Sequence, residues 1–225
     1  MQAEPKSSRG RLTRQRLLVA GKKVFERDGF LPARVADIAA EAGVSHGSFY
    51  HYFDSKESIF RVIAEAVEVR LISIDVSSHD NQRANDPIEK VRAANRAYLL
   101  SYKKEARIMR VIEEVSRYDD EVRKIRVERD DELAARLEAT IASLQAEGVA
   151  DTRIDGHYAA MALGGMVARF AEQMFVGGGN YAQERAIDQL TLLWCNALGL
   201  SGGGDDAQRP ENGTAETSVR KSGKR

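Results

Sequence analysis

Apolar residues recur along most of this chain at spacings of three and four, the period of an α-helix that buries one face. The first set lies between Thr13 and Gly29 and consists of Leu17, Ala20, Gly21, Val24 and Phe25. Gly29 is the kind of residue at which a helix ends. No strand-length stretch alternates polar and apolar residues for long, and the chain has only 4 prolines. The pattern predicts an all-α protein.

Two short helices around a tight turn are predicted next. The first is indicated by Val35, Ile38, Ala39 and Ala42, and it stops at Gly43. Residues 43–45 separate it from a short run with one aromatic face, formed by Phe49, Tyr52 and Phe53. Because so short a connection forces two helices to cross steeply, we predict a helix-turn-helix motif centred on residues 35–53.

A long fourth helix and five later helices complete the predicted fold. Asp54 and Glu57 have the spacing of a capping box ahead of the apolar stripe Phe60, Ile63, Val67, Leu71 and Ile74. Further helices are predicted over residues 88–104, 105–117, 119–147, 155–176 and 182–198. We therefore expect a three-helix helix-turn-helix domain over residues 11–54 and a larger helical domain over residues 55–200, with about nine helices.

Both ends of the chain are polar. Residues 1–10 carry Lys6 and Arg9, and arginines continue at Arg11, Arg14 and Arg16, which predicts a flexible basic arm. A solvated terminus without function is the alternative. Residues 201–225 contain one large aliphatic residue, so they are predicted to be disordered because they cannot offset the entropy of ordering.

Charge and hydropathy restrict the partners. The formal net charge is zero, but residues 1–61 hold 11 Lys+Arg against 7 Asp+Glu, so the positive end coincides with the predicted helix-turn-helix. No segment approaches the roughly 18 apolar residues of a membrane span, and the first residues lack the apolar run of a secretory signal. We expect a cytoplasmic protein with no membrane partner.

Catalytic and metal-binding patterns are not found in the sequence. It has four histidines: His46, His51, His79 and His157. None is paired as in HExxH, and Cys195 has no second cysteine for a disulfide and no neighbouring zinc ligands. Residues 177–180 lack the Lys-Ser/Thr of a phosphate loop. We predict no catalytic residue, no metal site, no cofactor and no enzyme activity.

The predicted third helix has a polar face opposite its aromatic face. That face carries, at the spacing i, i+1, i+4 and i+5, the residues His46, Gly47, Tyr50 and His51. The major groove of B-DNA is about 12 Å wide and admits one helix. We therefore predict that this face lies in the major groove of double-stranded DNA, where Gly47 permits a close backbone approach.

Side-chain chemistry suggests a role for each residue near this face. Ser45 can cap the helix and hold a phosphate. His46 and Ser48 can donate or accept at base edges, whereas the polar tips of Tyr50 and His51 suit backbone oxygens. The neighbouring aromatic residues are better interpreted as core, but Tyr50 lies on the wrong face for that.

The segment VADIAAEAGVSHGSFYHYFDSKESIF, residues 35–60, resembles the DNA-binding segment of the TetR family of bacterial regulators. The resemblance covers roughly residues 12–63 and rests on Ile38-Ala39, Ala42-Gly43-Val44-Ser45, Gly47, Tyr50, Phe53 and Lys56-Glu57, with Val24-Phe25 and Gly29-Phe30 upstream. It implies that Tyr50 and Lys56 contact phosphates. One departure is Arg34, where the family usually has Thr as a cap. Arg34 could reach a phosphate itself, and a solvated side chain beside Pro32 is the alternative.

Two helices near the C-terminus carry apolar stripes. The stripe in residues 155–176 combines the small residues Ala160, Gly164, Ala168 and Ala171 with Leu163, Val167, Phe170 and Met174. The stripe in residues 182–198 consists of Ile187, Leu190, Trp194, Ala197 and Leu198. If two copies of the chain pack these two helices together, they form a four-helix homodimer interface, which the resemblance also implies. The alternative is that both stripes pack within their own subunit.

The larger domain, residues 55–200, is the effector and dimerisation domain that the resemblance implies. It has enough apolar and aromatic residues to line a cavity: Tyr98, Tyr102, Met109, Ile112, Tyr118, Leu133, Met161 and Met174. The resemblance implies an inducer site there, for a small apolar or amphipathic effector. We expect a ligand-responsive transcription regulator, most simply a repressor, that binds a palindromic operator as a homodimer and releases it when the effector binds. The alternative is a helical protein-interaction module that keeps the fold without reading DNA.

Overall fold

The computed structural model describes residues 7–73 and 86–200, and in these ranges it contains eight α-helices and no strand. The helices are α1 (Ser8–Asp28), α2 (Val35–Ala42), α3 (His46–Phe49), α4 (Lys56–Ile72), α5 (Pro87–Val115), α6 (Asp120–Ala146), α7 (Gly156–Phe175) and α8 (Gln183–Leu198). The predicted all-α class is confirmed. Most of the predicted basic arm, His79 and the predicted disordered tail lie outside the described residues.

Helix α1 begins earlier than its apolar pattern predicts. The hydroxyl of Ser7 accepts a hydrogen bond from the amide of Gly10 at 3.1 Å, which makes Ser7 the N-cap. Residues 8–10, assigned above to the flexible arm, are therefore helical. A polar first turn carries no hydrophobic period, so only its capping serine could have indicated it. The predicted buried set from Leu17 to Phe25 is confirmed.

Helix α4 has a capping box, one residue later than predicted. The amide of Ser58 donates to the Ser55 hydroxyl, and the amide of Ser55 donates to the Ser58 hydroxyl, both at 3.1 Å. Serine thus replaces the predicted Asp54–Glu57 pair. The predicted inner face of α4 is buried from Phe60 to Leu71. Ile74 lies outside the described ranges.

A single helix, α5, replaces the two predicted over residues 88–104 and 105–117. It begins at Pro87, and the carboxylate of Asp86 caps it by accepting the Ile88 amide at 2.9 Å. No Gly or Pro interrupts residues 88–115, and buried residues continue through the predicted break. The predicted break between two helices was wrong. The charged residues Lys103–Glu105 lie within one continuous helix and do not end it.

The helices form two connected units, with α4 shared between them. Helix α1 packs against α2 and α4, and α2 packs against α3. Beyond α4, helix α6 packs against α7 and α5 against α8, while α4 also contacts α5 and α6. None of the helices in the described ranges is long and apolar enough to cross a membrane.

Ion pairs reinforce the junction between the two units. Glu105 of α5 is buried, and its carboxylate lies 2.9 Å from Lys22 Nζ of α1 and 3.3 Å from Arg70 Nε of α4. Arg61 of α4 contacts the Asp119 carboxylate, at the start of α6, at 2.9 Å. The position of α4 is therefore tied to both units.

Candidate nucleic-acid interface

The turn between α2 and α3 is held by a glycine and by an arginine from α1. Gly43 has φ +64°, and its amide donates to the Ala40 carbonyl at 3.0 Å. Arg16 donates from Nη2 to the carbonyl of Ala42 and, at 3.3 Å, to that of Gly43. Carbonyls at the end of a helix lack partners within it, so these bonds complete α2. Arg16 therefore anchors the turn and is not part of a mobile arm.

Helix α3 has a buried face that matches the prediction. The Ser45 hydroxyl caps it by accepting the Ser48 amide at 3.1 Å, and it lies 2.8 Å from the Ser48 hydroxyl. Phe49 and Phe53 are buried and Tyr52 is half-buried. The core interpretation of these aromatic residues is supported, and packing on this side fixes which face of α3 points outward.

The predicted outer face of α3 and the turn after it is exposed. His46, Gly47 and His51 are exposed, and Tyr50 is 44% exposed. The Tyr50 ring lies 5.3 Å from the His46 ring, centroid to centroid. A Cβ atom added to Gly47 would meet no described atom within 4 Å. The structure therefore brings these four residues together on one open surface.

Lys56 has bonds within the chain that the sequence did not indicate. Its Nζ donates to the carbonyls of Phe30 at 2.8 Å and Leu31 at 3.1 Å, and it lies 4.6 Å from the Phe30 ring centroid. These contacts close the connection between α1 and α2. An ammonium group has three N–H donors, so these two bonds do not exclude a third bond to a phosphate. A phosphate contact by Lys56 stays a prediction.

Arg34 lies at the start of α2, as the departure from the family pattern predicts. It is exposed and makes no side-chain cap, while its carbonyl accepts the amides of Asp37 at 3.1 Å and Ile38 at 3.2 Å. Its side chain is thus placed at the same end of the molecule as the helix-turn-helix. Whether it contacts a phosphate stays a prediction.

The apolar stripes predicted for the dimer interface are largely buried within the chain. A Cβ atom on Gly164 would lie 2.9 Å from Leu137 Cδ1 of α6, so the small residues of α7 admit α6. The large residues of the α8 stripe are buried in the side of α8 that packs on α5. The same two helices expose other apolar residues: Tyr158, Met161, Leu192 and Leu193. The two stripes thus pack within their own subunit, which was the alternative to a dimer interface.

A cavity of about 240 Å³ lies between α5, α6 and α7. Four of the apolar and aromatic candidates line it: Tyr98, Tyr102, Leu133 and Met161. The sequence did not indicate its charged wall, which consists of three arginines and two carboxylates: Arg126, Arg129, Arg169, Asp130 and Glu172. A charged helix position is usually a solvated one, so no local signal separated these arginines from the surface. In the described part of the chain, no group of three His, Cys, Asp or Glu side chains could hold a metal ion.

In this all-α chain, the short helix α3 follows a tight turn after α2, packs one face against the core and exposes the other. This arrangement defines a helix-turn-helix DNA-binding protein. Comparison with known families agrees. Residues 17–63 match the family model described as bacterial regulatory proteins, tetR family, and residues 84–195 match the tetracyclin repressor-like C-terminal domain. The chain belongs to the TetR family. It is a transcriptional regulator and not an enzyme.

Individual relatives share the DNA-binding segment or the fold. The HTH-type regulator YdgC of Bacillus subtilis is 47% identical over 53 residues, which are 24% of this chain and 27% of YdgC. UidR of Escherichia coli is 37% identical over 51 residues, 23% of this chain and 26% of UidR. The chain thus matches about a quarter of each relative's length. The fatty acid degradation regulator FadR of Bacillus halodurans has the same fold, with 18% identity, a TM-score of 0.69 and coverage of 88% of this chain and 100% of FadR.

Proposed function

We propose that this regulator is a repressor that binds a palindromic operator as a homodimer in the cytoplasm and releases it when a small molecule occupies the cavity. The observation that carries the proposal is the open surface of His46, Gly47, Tyr50 and His51, backed by buried Phe49. A helix held this way can enter a major groove without unfolding its own core.

The proposed contacts divide into base-edge and phosphate contacts. His46 and Ser48 lie in the first turn of α3, the part that reaches base edges in helix-turn-helix proteins. Ser45, Tyr50 and His51 would meet phosphate or sugar oxygens on either side. Lys56 and Arg34 would add cationic phosphate contacts, which position the protein without reading sequence.

A homodimer is supported by the needs of DNA reading and by the surface of α7 and α8. One short helix reads few base pairs, whereas two related by a twofold axis reach half-sites about 34 to 36 Å apart. Exposed Tyr158 on α7 and Leu192 and Leu193 on α8 supply apolar area on the two helices. Apolar surface of this kind marks interaction sites when it is contiguous. The proposed interface therefore uses the outer face of α7 and α8.

Release by an effector is supported by the position of α4. This helix contacts α1 on the DNA-binding side and α5 and α6 on the cavity side. A ligand that prefers a conformer with misspaced α3 helices lowers operator affinity by its differential binding. Repression itself is tested with a reporter whose promoter overlaps the selected operator. Transcription should rise when the regulator is deleted, and a fall would indicate an activator.

Selection of bound genomic fragments, followed by gel-shift titration, tests DNA binding. The wild type should prefer one palindrome over bulk DNA, with affinity falling as salt rises. His46→Ala/Tyr50→Ala should weaken operator binding by about tenfold or more, since a base contact contributes about 1 to 3 kcal/mol. Lys56 is left intact because its removal would also open the α1–α2 connection.

The matched control is His157→Ala, which removes an exposed histidine from α7. It should leave operator affinity unchanged. A folded His46→Ala/Tyr50→Ala protein with wild-type operator affinity would contradict the proposal and favour the protein-interaction module.

A further inference from the structure

A buried carboxylate on α4 faces two arginines at the polar end of the cavity. Glu68 is 1% exposed, and its two oxygens make no hydrogen bond to any described residue. Arg129 Nε lies 3.3 Å from one oxygen, and Arg126 Nε lies 3.8 Å from the other. Burial raises the pKa of Glu68 and the two arginines oppose that rise. The Glu68 charge thus depends on guanidinium groups of α6.

Arg129 is shared between α4 and the cavity. It is 6% exposed, lines the cavity, and donates from Nη1 to the Tyr98 hydroxyl at 3.1 Å. The described residues that line the cavity lie on α5, α6 and α7, so Glu68 stands behind its wall. Arg129 therefore touches both the space for a ligand and the helix that leads to the DNA-binding unit.

Two carboxylates share the charged wall of the cavity with its three arginines: Asp130 lies 3.2 Å from Arg129 Nε, and Glu172 lies 2.7 Å from Arg169 Nη1. Tyr102 lines the cavity at 4% exposure, and burial raises the pKa of its hydroxyl, which therefore keeps its proton and can donate. Guanidinium groups only donate, so a ligand that bonds to Arg126, Arg129 or the Tyr102 hydroxyl, in place of or beside these carboxylates, brings acceptor oxygens. A carboxylate matches the fork of an arginine and forms the stronger, charge-assisted hydrogen bonds.

The remaining wall and the volume restrict the rest of the ligand. Leu133, Leu137 and Met161 give an apolar side to the cavity. Its volume of about 240 Å³ lies below the usual range of roughly 300 to 1,000 Å³ for ligand pockets. The space therefore suits a short apolar body with one polar head.

We propose that the cavity binds a small carboxylate with an apolar body, and that this carboxylate competes with Glu68 for Arg129 and so loosens α4 from α6. The inference rests on the proposed function, because a shift of α4 matters only if the protein releases DNA. Coupling between the sites is reciprocal, so the operator should in turn weaken carboxylate binding by the same factor.

Calorimetry on the full chain tests the ligand class with hexanoate and benzoate against hexanamide and benzamide, which have nearly the same shape without the charge. Each acid should bind roughly ten- to a hundredfold more tightly than its amide, the range for a hydrogen bond to a charged group. Tyr102→Phe should weaken acid binding roughly threefold to tenfold with the fold intact. Acids that bind no more tightly than their amides overturn the proposal.

Glu68→Gln tests the competition for Arg129. Removing the competing charge should tighten acid binding severalfold compared with wild type, while acid no longer lowers operator affinity. A purely structural Glu68 would leave acid binding unchanged or weaker, and that result overturns the proposal. The control is Arg123→Gln, which alters an exposed ion pair with Asp120 on the same helix as Arg129 and should change neither measurement.

A double variant, Glu68→Gln/Arg129→Gln, removes both charges so that no unpaired charge stays buried. It should fold and lose the preference for acid over amide, and a retained preference overturns the role of Arg129. Operator binding by the unliganded protein is measured first. A wild type that selects no operator contradicts the proposed function, whereas one that binds its operator but not the acids overturns only this inference.

Discussion

Two glycines four residues apart in the helix-turn-helix meet opposite structural requirements. Gly43 has φ +64°, and a Cβ atom there would lie 2.9 Å from Arg16 Nη2. Gly47 lies in α3, and a Cβ atom there would meet no described atom within 4 Å. Gly43 is therefore required by the fold of the chain, while a requirement for Gly47 must come from a partner.

Gly43→Ala should destabilise the DNA-binding unit. The left-handed conformation costs a residue with a Cβ about 1 to 2 kcal/mol, and the Arg16 guanidinium would also have to move from its carbonyl partners. Thermal and urea unfolding of the full chain should both show the loss. Unchanged stability would mean that the turn adopts another conformation.

Gly47→Ala should separate folding from DNA binding. Alanine favours a helix over glycine by up to about 1 kcal/mol, so the folded protein should be as stable as wild type or slightly more stable. Operator affinity should nevertheless fall by about tenfold, which corresponds to about 1.4 kcal/mol. The reason is that the added methyl group lies where the DNA groove approaches the backbone of α3. Gel-shift titration measures the affinity, and an unchanged value would contradict the placement of α3 against DNA.

At the scale of helices, Asp119 both begins α6 and holds α4. Its carboxylate accepts the Val122 amide at 3.1 Å and the Arg61 guanidinium at 2.9 Å. Burial alone would raise the pKa of Asp119, but these hydrogen bonds hold that pKa below its ordinary value. A single side chain thus caps one helix and fixes its neighbour.

Substitution of Asp119 should show a pH-dependent loss of stability. Because the folded-state pKa is lowered, the carboxylate stabilises the fold above its unfolded pKa of about 3.9, and this contribution disappears as the pH falls through the folded value. Asp119→Asn keeps the cap and loses the charge. Its deficit in unfolding free energy should therefore shrink in acid, as measured by urea unfolding across pH.

Asp119→Ala serves as the comparison because it also removes the cap. It should cost about 0.5 to 2 kcal/mol more than Asp119→Asn at neutral pH. A deficit of the Asn variant that does not change with pH would show that the charge of Asp119 contributes nothing to the contact with Arg61.

At the scale of the whole molecule, α7 and α8 have two apolar sides with different uses. Their predicted stripes pack against α6 and α5 of the same chain. Their outer side retains Tyr158, Leu192 and Leu193, each more than half exposed, and this is where the proposed second subunit would dock. A change on the outer side should therefore affect assembly without affecting the fold.

Leu193→Glu should convert the proposed dimer into a monomer, because a charge without a partner would be buried in the interface. Size-exclusion chromatography with light scattering measures the mass, and operator affinity should fall with it, since a monomer reads one half-site. The control is Val127→Glu on α6, at the same 51% exposure as Leu193. A Leu193→Glu protein that remains dimeric would place the interface elsewhere.

The sequence by itself determined most helices and the DNA-binding segment. Helical spacing, the ending glycines Gly29 and Gly43 and the cap at Ser45 all act within a few residues, so their effects can be read from neighbouring positions. For the same reason the open face of α3 was predicted from its aromatic opposite face. The errors at this level are local too, at the first turn of α1 and in the middle of α5.

Only the tertiary structure decided what each buried face packs against. A stripe on a helix shows that one face is covered, but not whether α6 or a second subunit covers it, as Gly164 and Leu137 show. Lys56 donates to carbonyls 25 and 26 residues earlier in the chain, and Arg129 contacts Glu68 from another helix. Such pairings depend on how distant helices cross in space, and no pattern within either helix encodes that crossing.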